Sequence, residues 1–308
     1  MAMTITAYAV FKLGDRQVKL VTVEKTSPSL PPFPLLVATP VEGSGIFPVI
    51  LFVHGYLLRN TFYSELIQHI ASHGYIVISP QFAGCDANAD CESTGEVIKW
   101  LSSSGGMSTF LPSGVGGDMT KLTIAGHSRG GKVAFGVAQG DVITRFTTTN
   151  AKISAVIGID PVDGMSRDRQ TEPRILTFKP NSITVNAPVM VVGCGLSDEK
   201  KNPFFPPCAP EGVNHRDFFA ECRSPAWYFV VKNYGHLDML DDDTKGFKGI
   251  ATYYLCKNGN GREPMRRFVG GLIVAFLNYQ LGGDSGDFED LQNNPETCPV
   301  ILSEVSFR

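Results

Sequence analysis

The stretch Leu122 to Phe135, LTIAGHSRGGKVAF, constrains the fold more than any other part of this chain. A short apolar run stops at Gly126, then come His127, Ser128 and Arg129, and a helical pattern of small residues begins at Gly130. A G-x-S-x-G pentapeptide between strand and helix marks a nucleophile elbow, a turn that forces strained backbone angles on its serine. Strand and helix approach so closely there that the residues two before and two after the serine must be tiny. Glycines alternate with other residues in many proteins, so the strand-turn-helix context is what gives this pentapeptide its meaning. The pattern predicts Ser128 pushed out at the carboxyl end of a buried strand, where a parallel sheet presents its functional loops.

The surrounding sequence repeats the strand-helix alternation. FPVILFVHG is a continuous apolar run ending in glycine, as a strand buried on both faces should be. TFYSELIQHIASHG sets Phe62, Leu66, Ile67 and Ile70 at helical spacing. YIVISPQ, LTIAGHS, ISAVIGIDP, APVMVVGCG and AWYFVVKNYGH read as further strands, with a helix from Gly130 to about Gln139 and another in STGEVIKWLSS, opened by a Ser or Thr cap. PMRRFVGGLIVAFLNYQL puts Phe268, Leu272, Phe276 and Tyr279 on one stripe, a helix packed on the sheet rather than in a membrane. Near the start, AVFKLGD, VKLVTVEK and PLLVATP are short β-rich segments that suggest an antiparallel edge. Together these predict an α/β fold with a mostly parallel, twisted sheet and helices on both faces. No repeat, linker or shift of composition divides the chain, so residues 1–308 read as one domain.

Composition removes several classes of function. Twenty-seven basic against 30 acidic residues give a net charge of -3, which argues against a nucleic-acid partner. No stretch reaches the roughly 18 consecutive apolar residues of a membrane span. The start, MAMTITAYAVFKLGD, lacks a basic segment followed by a long apolar one and is poor in Arg and Ser, so no clear secretory signal or transit peptide is read there. The seven cysteines are irregularly spaced without a C-x-x-C pair and fit no zinc pattern. Cys85 with Cys91, and Cys208 with Cys222, lie close enough in sequence to bridge; buried free thiols are the alternative.

A serine hydroxyl needs a neighbouring base to become a nucleophile. Of the six histidines, His236 is favoured, because it follows the late strand AWYFVVKN and completes the order Ser, Asp, His. His215, in GVNHRDFF, is the rival. For the acid, Asp160 ends the strand SAVIGID against Pro161, where a carboxylate is held rigid enough to orient an imidazole. Asp198, in GCGLSDEKK, is the alternative, beside a stretch that reads as solvated. The developing oxyanion calls for amide donors. The amide of Arg129 follows the serine, and the amide of Tyr56 lies in the turn of FVHGYLL, with Leu57 as the near alternative.

These residues sit in long segments that resemble plant chlorophyllases: FPVILFVHGYLLRNTFYSELIQHIASHGYIVISPQ, AGHSRGGKVAF, IGIDPVDGM, NPFFPPCAPEGVNHRDFF, YGHLDMLDDDTKG and CKNGNGREPMRRFVGGLIVAFL. The resemblance covers nearly the whole chain and departs from the family at FAGCDANADCESTGEV. It implies an esterase of α/β-hydrolase fold that splits chlorophyll into chlorophyllide and phytol, with Ser128 as nucleophile, Asp160 as acid and His236 as base. It implies no metal or organic cofactor, the magnesium of chlorophyll belonging to the substrate. A plant chloroplast or another membrane-associated compartment is expected, with peripheral attachment to the membrane; the cytosol is the alternative. A macrocycle with a long alkyl chain calls for apolar surface, expected from Leu57, Leu58, Phe62, Phe82, Phe110, Leu111, Phe204 and Phe205. A broader carboxylesterase or lipase, and a non-catalytic pigment-binding protein on the same fold, are the competing readings.

Overall fold

The computed structural model describes residues 8–25, 31–41, 44–103, 105–140 and 151–308. Its strands are β1 (Val18–Val23), β2 (Leu35–Pro40), β3 (Gly45–Val53), β4 (Ile76–Pro80), β5 (Val115–His127), β6 (Ile153–Ile159), β7 (Val189–Cys194), β8 (Ala226–Val231) and β9 (Leu302–Phe307). They form one sheet in the order β1-β2-β4-β3-β5-β6-β7-β8-β9. From β4 through to β8 every neighbouring pair is parallel. β1 and β2 make the antiparallel edge expected at the start, and β9 adds an antiparallel strand at the other side.

The helices are α1 (Ser64–Ser72), α2 (Ala87–Leu101), α3 (Arg129–Gln139), α4 (His215–Glu221), α5 (Gly246–Ala251), α6 (Glu263–Gln280) and α7 (Gly286–Asn293). Side chains alternate across a strand, so β3 sends Ile50 and Phe52 to one face and Val49, Leu51 and Val53 to the other. α1, α6 and α7 cover the first face with Leu66, Ile70, Phe268, Leu272, Phe276 and Phe288. α2, α3 and α4 cover the second with Val97, Ile98, Val133, Phe135 and Phe218. With both faces covered, strands β4, β7 and β8 are buried along their whole length, which explains their uninterrupted apolar sequences.

Three local expectations need correction. AVF is a 3₁₀ turn, Ala9–Phe11, that plugs Phe11 against Phe268 at 6.0 Å instead of pairing as a strand. α2 opens at Asp86, whose carboxylate caps the Asn88 amide at 2.9 Å, so Ser93 and Thr94 fall mid-helix. The disulfide joins Cys208 to Cys256, with Cα atoms 5.7 Å apart. Sequence proximity misleads for the expected pairs, because Cys222 closes α4 inside the core beneath the sheet while Cys208 lies on a loop above it. Cys91 likewise faces α3 while Cys85 is exposed.

Parallel strands end together. The carboxyl ends of β3, β5, β6, β7 and β8 therefore bring the segments after Val53, His127, Ile159, Cys194 and Val231 to one edge of the sheet.

Candidate active site

Ser128 stands at that edge with φ 57° and ψ -122°, a conformation that costs an L-residue about 1–3 kcal/mol. Its surroundings impose the strain. The Ser128 amide donates to the Ile159 carbonyl at 2.9 Å, and its own carbonyl accepts from the amides of Lys132 and Val162 at 3.1 and 3.3 Å. A Cβ at Gly130 would lie 2.0 Å from the Val53 carbonyl oxygen, and one at Gly126 2.2 Å from the Gly130 carbonyl oxygen. Both positions of the pentapeptide must therefore be glycine.

The Ser128 hydroxyl lies 2.8 Å from Nε2 of His236, whose Nδ1 lies 2.6 Å from Oδ2 of Asp160. A carboxylate only accepts, so Nδ1 carries the proton and Nε2 is left to accept from the serine. The second Asp160 oxygen takes the Cys194 amide and the Ser197 hydroxyl, each at 3.2 Å. Burial alone would raise the Asp160 pKa; the hydrogen bond and charge of His236 overcome it and hold the carboxyl below its usual value. This chain of groups can abstract a hydroxyl proton and stabilise the imidazolium that results.

The rival residues point elsewhere. His215 is buried behind the acid, with Nδ1 accepting from the Tyr228 hydroxyl at 2.7 Å and Nε2 3.7 Å from Asp160. Burial lowers its pKa, so it stays neutral there. Asp198 instead pairs with Arg216 at 2.6 Å at the surface.

Arg129 is the first residue of α3, so its amide has no acceptor within the helix. Its guanidinium lies 5.2 Å from the centre of the Tyr56 ring and pairs with Asp90 at 2.9 Å. Tyr56 and Leu57 follow β3 in a turn clamped by His54, whose Nδ1 donates to the Gly55 carbonyl at 2.8 Å and whose Nε2 accepts the Phe82 amide at 3.0 Å. Burial pushes the His54 pKa down to about 4, so the clamp is a neutral ring. Neither this role of His54 nor the support of Asp160 from Cys194 and Ser197 was legible, because the partners are distant in sequence and no motif joins them.

A cavity of about 470 Å³ opens beside Ser128 and His236, walled by Tyr56, Leu57, Leu58, Leu237, Phe247, Ala251 and Leu255. A second groove of about 410 Å³ shares Leu57, Leu58 and Lys248 with it. Among the described residues no cluster of three or more His, Cys, Asp or Glu side chains could hold a metal ion, and no helix is long and apolar enough to cross a membrane.

A family model described as Chlorophyllase matches residues 6–308. The chain belongs to the chlorophyllase family. It is 51% identical over 297 residues to Chlorophyllase-2 of Arabidopsis thaliana, covering 94% of this chain and 91% of the relative. It is 41% identical over 303 residues to Chlorophyllase-1 of the same plant, covering 97% and 91%. To Chlorophyllase-1, chloroplastic, of Citrus unshiu it is 40% identical over 307 residues, covering 97% and 88%. Chlorophyllases are carboxylic ester hydrolases, and the α/β architecture of this member agrees.

Within the chlorophyllase framework the expected apolar residues divide. Leu57 and Leu58 wall the cavity. Phe82 is buried against Phe33 at 5.1 Å and touches only the second groove. Phe62 is not a wall residue; it is packed into the core beside Tyr63. Phe110 stacks on Trp100 at 6.1 Å near the start of β5, and Leu111 follows it, at the opposite end of the sheet from Ser128. Both are therefore excluded from the cavity by topology. Phe204 and Phe205 are exposed on the loop leading to Cys208. Besides Leu237, next to His236, the walls that sequence reading missed come from α5 and the turn after it, tied to the loop of Cys208 by the Cys208–Cys256 bridge. Their only signal was the aromatic and apolar density of FKGIATYYL, which carries no chemical motif.

Proposed function

We propose that this chain hydrolyses the phytyl ester of chlorophyll to chlorophyllide and phytol through an acyl-enzyme on Ser128. The observation that carries the reading is one imidazole, His236, within hydrogen-bond reach of both Ser128 and Asp160 beside an apolar cavity. Family membership supplies the ester class. Ser128 Oγ attacks the ester carbonyl as His236 Nε2 takes its proton, and Asp160 holds the ring and its new charge. The amides of Arg129 and Tyr56 hold the oxyanion. The phytol oxygen leaves with the proton from His236. A water molecule then attacks the acyl carbon, one of its protons passes through His236 to Ser128, and the carboxylic acid departs and ionises in solvent. Neither step needs a metal ion or organic cofactor, and the ester needs apolar space for ring and alkyl chain, for which the cavity beside Ser128 and the groove that shares Leu57 and Leu58 with it are the candidates.

Two side chains that line the cavity, Phe247 and Tyr56, are also exposed, and so are Ile250 and Tyr254, on the same segment as Phe247, and Phe204, four residues before Cys208. We read these side chains, flanked by Lys245 and Lys248, as a peripheral contact with the membrane from which the pigment is drawn, in a chloroplast or another membrane-bearing plant compartment. Hydrolysis of purified chlorophyll and of short-chain nitrophenyl esters by wild type, Ser128→Ala, Asp160→Asn and His236→Ala tests the reading. Loss of chlorophyll cleavage in all three variants is expected. Short esters turned over far better than chlorophyll would favour a general carboxylesterase, and pigment binding without turnover in the wild type a non-catalytic role.

A further inference from the structure

His127 and Tyr63 stand outside the Ser128, His236, Asp160 chain, yet both are fully buried against it. His127 occupies the first variable position of G-x-S-x-G, where the elbow itself sets no chemical demand. Its Nε2 lies 2.8 Å from the main-chain carbonyl of His236, and its Nδ1 2.7 Å from the Tyr63 hydroxyl. That hydroxyl also meets the Gly55 amide at 3.1 Å.

Donor and acceptor rules leave one arrangement that satisfies every group. The His236 carbonyl can only accept, so Nε2 of His127 carries a proton. In a neutral ring Nδ1 must then accept, and the Tyr63 hydroxyl donates to it. The hydroxyl oxygen in turn accepts from the Gly55 amide. Burial keeps the ring neutral, pushing its pKa down to about 3. The result is a continuous hydrogen-bonded strut from Gly55, beside the proposed oxyanion donor Tyr56, to the backbone of the proposed base.

We infer that Tyr63 and His127 are positioning residues for the hydrolysis, fastening the backbone of His236 to the loop that carries the oxyanion donor. This rests on the reading of Ser128 and His236 given above. The turn carrying His236 belongs to no regular element, so side chains must set its place. Asp238 holds it from the far side, accepting the Gly235 and Gly259 amides at 2.7 and 2.6 Å. The His127 bond holds it from the near side. With the strut gone, the imidazole loses its register with Ser128 and the oxyanion loop loses its register with both.

The test compares His127→Phe, which keeps a ring but no nitrogen, His127→Gln, whose amide can donate to the His236 carbonyl, and Tyr63→Phe, which deletes one hydroxyl. Turnover and KM on a nitrophenyl ester and on chlorophyll are measured beside the thermal midpoint. A misplacement of about 1 Å costs around 100-fold, so His127→Phe is expected to lose about that in kcat with KM changed less than about twofold. Tyr63→Phe should lose roughly 10-fold, and His127→Gln should recover most of what His127→Phe loses, although Phe is the better core filler. A role in packing alone would rank the variants by stability; activity that follows the thermal midpoint instead of the donor overturns the inference. So does a folded Tyr63→Phe with wild-type kcat, which decides the matter even where His127→Phe does not fold. Full turnover by Ser128→Ala would undo the acyl-enzyme reading itself, whereas an inactive Ser128→Ala beside a fully active His127→Phe and Tyr63→Phe undoes only the strut.

Discussion

Asp160, the proposed acid, is the residue on which the proposed chemistry turns. It carries no solvent-exposed surface, and each of its oxygens already has a partner. Replacing it by Asn leaves the volume intact but offers the His236 ring an N–H as readily as an oxygen. The imidazole can then take the other tautomer, with its proton on Nε2 facing Ser128, where it cannot act as a base. We expect Asp160→Asn to lower kcat by about 10³–10⁴ with little change in the thermal midpoint, as read from ester turnover and circular dichroism. Asp198→Asn removes only a surface pair with Arg216 and should stay within about 0–1 kcal/mol of wild-type stability with full turnover. Motif order and the apolar run before Asp160 favoured it over Asp198, and the structure brings Asp160 to His236 while Asp198 pairs with Arg216. The same reading could not place His127, His54 or His215, because a histidine's role depends on what its two nitrogens face, and those partners come from other elements.

At the scale of elements, the elbow and the disulfide-tied loops behave differently. Gly130 is wedged against the end of β3, where the atoms opposing a Cβ are backbone and cannot swing aside. Gly130→Ala should destabilise the chain by more than about 4 kcal/mol or prevent its accumulation in soluble form, a result that denaturant titration or expression yield would reveal. The Cys208–Cys256 bridge closes a segment with a sequence separation of 48 and ties the turn after α5 to the loop of Cys208. Reduction should lower stability by about 2–4 kcal/mol, and a thermal midpoint unchanged by reductant would contradict that. The elbow was legible because its sterics are local, confined to a handful of consecutive residues. The bridge was not, since Cys256 reaches Cys208 only after β8 and α5 have folded back across the site.

Over the whole molecule, two cores on either side of one sheet bury both histidines and carboxylates, and these titrate with opposite effect. Burial lowers the His69 pKa to about 4, while its ring bonds to the Val10 carbonyl at 2.7 Å. The unfolded chain binds that proton near pH 6.5 and the folded chain refuses it. The stability from His69 is therefore full above about 6.5 and is lost as pH falls towards 4. Burial raises Asp241 to about 7 and Asp90 to about 6. Their contribution is full at acid pH and is lost as pH rises through those values. The two trends share a window, so a single substitution must separate them. Between pH of about 7.5 and about 4.5, His69→Gln should lose less stability than the wild type, by on the order of 2 kcal/mol in urea titrations. Parallel losses would show that His69 already takes up its proton in the folded state.

What the amino-acid order determined alone was the alternation of strands and helices, the strained serine turn, and the order along the chain of the residues proposed as nucleophile, acid and base. Each is encoded within a short window, by periodicity, by glycine spacing or by the end of an apolar run. Tertiary structure alone decided which apolar residues face the cavity, which cysteines join, and how Tyr63 and His127 brace the His236 loop. Those outcomes depend on groups far apart in sequence meeting at one sheet edge. A hydrogen bond or a buried wall exists only once both of its sides are in place.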